Sequence, residues 1–167
     1  MPFSLVPHRV FERYECLTPA LLRQMGVRLV ISDLDYTLAP KSVPEPDDAL
    51  RAWITSLAAE GIHFTILSNN RSSTRVERFC AALGVDYVGH AGKPSTRGYL
   101  AAMARAGVTV GETVMLGDKL LTDVLGANRC GIRALMVEPR GGAVGAWNHV
   151  LHLLQRPFKY ICRRRSE

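Results

Sequence analysis

No run of roughly 18 apolar residues occurs in the 167-residue chain, so the sequence predicts no membrane-spanning helix. No basic start followed by a long apolar stretch marks a secretory leader. Cysteine is sparse: Cys16, Cys80, Cys130 and Cys162 stand too far apart for a CxxC metal site. They read as reduced, structural thiols of a cytoplasmic protein. The five histidines show no metal-binding spacing, and His149 and His152 read as ordinary helix residues. No internal repeat or low-complexity tract is present. "GHAGKPS" (89–95) is not a P-loop, because its first glycine lies too close to Gly92.

What is present is a globular composition. Hydrophobic residues make up 47% and mean hydropathy is +0.04, which suits a soluble chain that buries one substantial core. The length predicts a single domain over 1–167. The formal charge of +6 is carried by 17 arginines and only 4 lysines. Such a surplus is compatible with phosphate-bearing partners or an anionic membrane, and equally with a plain basic surface.

Two patterns alternate along the chain. "RLVISDLD" (28–35) reads as a buried strand. A helix over 47–60 follows Pro46 and is closed by Gly61. Residues 62–68 are β-branched and aromatic, a second strand, and a helix over 72–83 ends at Gly84. Residues 86–90 form a short strand, and 95–107 a helix with Pro94 at its entry. A strand over 113–118, a helix over 122–130 stopped by Gly131, and a strand over 132–139 complete the series. Near-continuous apolar strands separated by helices predict a three-layer α/β/α fold around a parallel sheet. The core spans 28–138, and residues 1–17 and 140–167 read as appendages.

The stretch "VISDLDYTLAP" (30–40) places two carboxylates, Asp33 and Asp35, where a buried strand should simply turn. In an open parallel sheet, ligands bind beyond the carboxyl ends of the strands. Ser68, Asn69 and Asn70 follow the second strand, and Lys93 follows the short strand and opens a helix. Asp118 follows the strand at 113–118, with Asp123 one turn further. A single aspartate at a strand end is more often a cap than a ligand. Polar groups from four strand ends on one edge are hard to explain by capping and point to a site.

These residues resemble a known family. "DLDYT" matches the DxDxT signature of the haloacid dehalogenase (HAD) superfamily, Ser68 its second motif, Lys93 its third and "GDKLLTD" (117–123) its fourth. "ILSNN", "GKPS" and "GDKLLTDVLGANRCG" are similar to the YqeG-type branch, grouped with the IIIA phosphatases. The resemblance implies a HAD-like Rossmannoid core. One departure is Tyr36, where relatives usually carry Asn, Gly or another small residue.

The resemblance also implies a chemistry. Asp33 would attack phosphorus and form an aspartyl-phosphate, splitting one hard step into two. Its other oxygen, the Asp35 carbonyl and the Asp118 carboxylate would bind Mg²⁺, a hard cation that prefers oxygen ligands. Asp35 would protonate the leaving oxygen and then take a proton from water. Ser68 and Asn69 would contact phosphate, although Asn69 and Asn70 read equally well as turn residues. Lys93 would place positive charge on the phosphoryl oxygens. Thr37 would brace the loop, and Asp123 would hold Lys93 or a metal-bound water. An acid two residues after the nucleophile favours an oxygen leaving group.

Two other classes stay open. A phospho-receiver domain also combines acids, a hydroxyl and a lysine on a parallel sheet, but it places its accepting aspartate on the third strand. A non-catalytic scaffold would keep the fold without turnover.

Neither the gap from Asp35 to Ser68 nor that from Ser68 to Lys93 can hold a cap domain. The site should therefore be open, which suits a bulky substrate or one whose head group alone enters. By resemblance, the leading specific expectation is phosphatidylglycerophosphate hydrolysis at a membrane surface, with a soluble phosphate ester or phosphoprotein as the alternative. The chain ends mix apolar and basic residues, as in "WNHVLHLLQRPFKYICRRRSE" (147–167), which suits peripheral membrane contact or an apolar face packed on the core. No nucleic-acid partner is expected, and oligomerisation is left open. His90, near Lys93, is a further candidate for substrate contact.

Overall fold

The computed structural model describes residues 4–69 and 73–141, together with 157, 158, 160 and 162. Strand β1 (Arg9–Phe11) leads to helix α1 (Pro19–Gln24), whose first turn is capped by Thr18 accepting a hydrogen bond from the Leu21 N–H. Strand β2 (Leu29–Ser32), helix α2 (Asp48–Ala59), strand β3 (His63–Leu67), helix α3 (Ser73–Leu83) and strand β4 (Asp86–Val88) follow. Helix α4 (Arg97–Ala106), strand β5 (Thr113–Gly117), helix α5 (Leu125–Cys130) and strand β6 (Arg133–Val137) complete the described core.

All strand pairs are parallel, in the order β1-β6-β5-β2-β3-β4. Side chains alternate between the two faces, and each face has its own core. On β2, Val30 joins Trp53, Leu57 and Phe79 on one side, while Leu29 and Ile31 join Tyr99, Met103 and Ala127 on the other. Because helices cover both faces, no polar residue is needed in alternation, and the strands read as continuous apolar runs.

Three details depart from the sequence reading. The N-terminal segment is part of the fold: β1 extends the sheet beside β6, and Tyr14 and Leu17 are fully buried. The Tyr14 ring packs tilted against Trp53, centroids 4.8 Å apart, and the Trp53 indole N–H donates to the Leu17 carbonyl at 2.9 Å. Lys93 does not open α4 directly; three residues separate it from Arg97. The helix predicted from 122 begins earlier, as a wide turn over Leu120–Val124 that passes into α5.

At the C-terminus, Phe158 packs against the second core and Cys162 is buried, in line with an apolar face turned to the core. Trp147, His149, Leu151, His152, Leu154 and Arg163–Arg165 lie outside the described residues, as does Asn70. The four cysteines are free thiols. Among the described residues, no helix is long and apolar enough to cross a membrane.

The topology fixes where a ligand would sit. From β2 the chain proceeds outward through β3 and β4, then returns to β5 on the opposite side of β2. A crevice therefore opens between the carboxyl ends of β2 and β5.

Candidate active site

Asp33 leaves the end of β2, and its N–H donates to the Leu116 carbonyl of β5 at 2.9 Å. This bond carries the sheet ladder one residue past the strand and sets the carboxylate at the crevice floor. Asp33, Asp35, Ser68, Asn69, Lys93 and Lys119 line one cavity of about 410 Å³, together with Lys41 and Thr122.

Lys93 is the hub of the inner wall. Its ammonium lies 2.7 Å from Asp33 Oδ1 and 2.8 Å from Asp123 Oδ1, and all three side chains are buried. Asn69 clamps the Lys93 backbone from both sides: its Nδ2 donates to the Lys93 carbonyl at 2.9 Å, and its Oδ1 accepts from the Lys93 N–H at 2.7 Å. The Lys119 N–H donates to Asp123 Oδ2 at 3.1 Å. Gly117 makes this packing possible, since a Cβ there would collide with the Asp123 side chain. Thr37 is buried and donates to Asp118 Oδ1 at 3.2 Å, tying the loop after β2 to the end of β5.

Two residues that sequence reasoning missed complete the outer wall. Arg75, from α3, forms an ion pair with Asp35 and also donates to the carbonyls of Val43 and Pro40 at 2.9 and 3.2 Å. It thereby pins the loop over residues 40–43 as well as the carboxylate. Lys119 Nζ lies 3.0 Å from Asp118 Oδ1, 3.4 Å from Asp33 Oδ2 and 3.4 Å from the Asp35 carbonyl. Arg75 carries no local signal, because its partner is 40 positions away. Lys119 did carry one, a cation directly after Asp118 inside the fourth motif.

Burial raises the pKa of Asp33, but the ammoniums of Lys93 and Lys119 more than offset it and hold the carboxyl below its ordinary value. Burial lowers Lys93, and the facing charges of Asp123 and Asp33 reverse this to a net rise. Asp118 is pushed up to about 7, by burial first and by Asp33 and Asp123 as like charges, against the pull of Lys119. Asp123 is raised as well, chiefly by burial.

The carboxylates of Asp33, Asp118 and Asp123 offer oxygen atoms within 4.8 Å of one another. Asp123 is committed to Lys93. Asp33 Oδ2, Asp118 Oδ1 and the Asp35 carbonyl all face a cation already, the Lys119 ammonium, so this all-oxygen set fits a hard divalent ion. His90 has a positive φ of 49° and lines a neighbouring depression with Gly92 and Arg97, not the aspartate cavity.

Comparison with known proteins gives the family and the fold. Residues 90–142 match the HAD-hydrolase-like family model. The probable phosphatase YqeG of Bacillus subtilis is 35% identical over 129 residues, covering 77% of this chain and 74% of that protein. The chain belongs to the HAD-like family, in its YqeG-type branch. A human phospholysine phosphohistidine inorganic pyrophosphate phosphatase shares 48% identity over 47 residues, which is 28% of this chain and 17% of that one. The fold is similar to that of the cobalt-bound deoxy-D-mannose-octulosonate 8-phosphate phosphatase of Haemophilus influenzae. That structure matches with a TM-score of 0.59 and 18% identity, over 82% of this chain and 91% of that one. The chain is thus a HAD-family phosphatase, built on a parallel sheet covered by helices.

Proposed function

We propose that this phosphatase is a Mg²⁺-dependent phosphomonoester hydrolase that works through an aspartyl-phosphate on Asp33. The observation that supports this most is the state of Asp33. It sits at the floor of an open cavity, with Lys93 at 2.7 Å on one oxygen and the other oxygen facing a cation position. Asp33 Oδ2, Asp118 and the Asp35 carbonyl would hold the metal. When bound, the ion would screen the repulsion between an anionic nucleophile and an anionic ester.

In the first half-reaction an Asp33 oxygen bonds to phosphorus as the ester P–O bond breaks, and Asp35 gives its proton to the leaving oxygen. In the second, water attacks the phosphorus of the acyl phosphate, Asp35 takes the water proton, and inorganic phosphate leaves with Asp33 restored. Ser68 donates to the phosphoryl oxygens. Lys93 supplies them with fixed charge, and Asn69 and Asp123 hold Lys93 in place. Arg75 orients Asp35.

Within this class we place phosphatidylglycerophosphate first. The chain between Asp35 and Lys93 forms only loops, α2, β3, α3 and β4 among the described residues, with no cap to exclude a head group presented by a lipid surface. The exposed Lys41 adds positive charge to the cavity wall. A panel of phosphate esters that includes phosphatidylglycerophosphate in mixed micelles tests both levels. Mg²⁺-dependent release of phosphate, abolished by chelation, is expected, with the lipid turned over fastest. Undiminished activity after exhaustive chelation contradicts the metal, and preference for a soluble ester contradicts the lipid.

A further inference from the structure

We propose that Lys119 is a tethered competitor for the divalent-cation position. Its ammonium fills that position in the metal-free protein, and an ion enters only when the side chain swings out. The inference rests on the reading above that this oxygen set holds a metal.

The geometry carries it. Lys119 Nζ contacts three oxygens from three residues: Asp118 Oδ1 at 3.0 Å, Asp33 Oδ2 at 3.4 Å and the Asp35 carbonyl at 3.4 Å. These are the oxygens proposed to bind the ion, so an ammonium and a divalent cation cannot occupy the position together. Lys93 cannot replace Lys119 there, because its charge is already committed to Asp33 and Asp123. Asp118 is a buried carboxylate beside two others; the Thr37 hydroxyl donates to it, and its ion-pair cation is the Lys119 ammonium.

The two lysines differ in their freedom to leave. The Lys93 side chain is 2% exposed, whereas that of Lys119 is 39% exposed on a four-carbon stem at the cavity mouth. The Tyr36 ring lies 5.7 Å from the Lys119 ammonium, a cation–π contact made at the cavity while the ammonium faces the three oxygens. A site whose competent state is populated about one-tenth of the time loses about tenfold in apparent affinity, so a resident lysine weakens metal binding by its own occupancy.

The test is direct metal binding to the whole chain, with no turnover involved. Mn²⁺ is titrated calorimetrically into chelator-stripped wild type, Lys119→Met, Lys119→Arg and Lys41→Gln, and thermal midpoints are recorded with and without Mg²⁺. Lys119→Met is expected to bind Mn²⁺ about tenfold more tightly than wild type. Its metal-free midpoint should fall, and Mg²⁺ should raise it further than it raises wild type. Lys119→Arg, which keeps a tethered cation, should bind like wild type, and Lys41→Gln should change affinity less than about twofold, since exposed charges are well screened.

Equal Mn²⁺ affinity in wild type and Lys119→Met overturns the competitor and leaves the metal site standing. Equal tightening by Lys41→Gln also overturns it, because the effect is then one of general charge. Binding by no variant overturns both this inference and the metal in the proposed function. If Lys119→Met folds only with Mg²⁺ present, the inference is supported. If neither Lys119→Met nor Lys119→Gln folds at any Mg²⁺ concentration, it is overturned.

Discussion

The candidate site has a sealed half and an open half, held together in different ways. In the sealed half, Lys93 binds Asp33 and Asp123 with side chains 2%, 9% and 1% exposed. In the open half, Arg75 and Asp35 are both 17% exposed and Lys119 is 39% exposed. Buried charges that lose a partner have no water to turn to, so the sealed triad is fixed. Partly exposed charges exchange partners at less cost, which suits the open half to the proposed traffic of ester, ion and proton. The architecture thus keeps its permanent charge inside and its exchangeable charge at the mouth.

The sharpest way to break this contrast is Lys93→Met, which leaves Asp123 without its ion-pair partner and Asp33 with the more distant Lys119 ammonium alone. It should destabilise the fold by about 3–5 kcal/mol at neutral pH, read from denaturant unfolding. A loss below about 1 kcal/mol would place the triad on the same footing as a surface pair.

Asp33→Asn removes the proposed nucleophile but leaves the Lys93–Asp123 pair in place. Turnover should fall by more than about a hundredfold with an unchanged circular dichroism spectrum. Activity above about a hundredth of wild type in freshly purified protein argues against the role.

Arg75→Met sharpens the comparison from the open side. It removes one partly exposed ion pair and two loop contacts, and should lower stability by about 1 kcal/mol, well short of Lys93→Met. An equal loss from the two variants erases the distinction between halves.

A pH series on metal-free protein separates the halves again. The folded pKa of Asp118 lies above its unfolded value of 3.8, at about 7, so the native state holds the extra proton between these limits. Stability from this group therefore falls as pH rises through that window. Asp33 acts in the opposite sense: its lowered pKa gives stability that is present above the unfolded value and lost as acid protonates it. Asp118→Asn should make the decline between pH 3.8 and about 7 shallower, measured by denaturant midpoints.

The sealed half was the legible half. Asp33, Lys93, Asp118 and Asp123 stand just beyond strands or in a motif whose spacing a parallel sheet brings to one edge, so their convergence follows from the pattern. Of the open half, Asp35 was legible and its facing cations were not read, because their contacts are made by long side chains across loops. Nothing on α3 distinguishes Arg75, which reaches Asp35, from exposed Arg78 one turn on. β1 was missed for another reason: three residues at a sheet edge, one exposed and two half-buried, carry too little alternation to register as a strand. Tyr36 was flagged as a departure, and its φ of 70° gives the reason: small or Asn-type residues tolerate the left-handed region that a tyrosine enters at a cost. Its N–H donates to the Ala39 carbonyl and its own carbonyl accepts from the Arg140 N–H, which hold that conformation.

The account stands most directly on Asp33 as the atom that receives phosphate. Turnover of an aryl phosphate in Mg²⁺, quenched in acid within the first catalytic cycle and mapped by peptide mass spectrometry, reads this without assuming a physiological substrate. The account predicts one added phosphoryl group on the peptide that carries Asp33, lost in mild base as an acyl phosphate should be, and absent from Asp33→Asn. Phosphate released at full rate with no phosphorylated peptide at any quench time, or with the group on another residue, would contradict it.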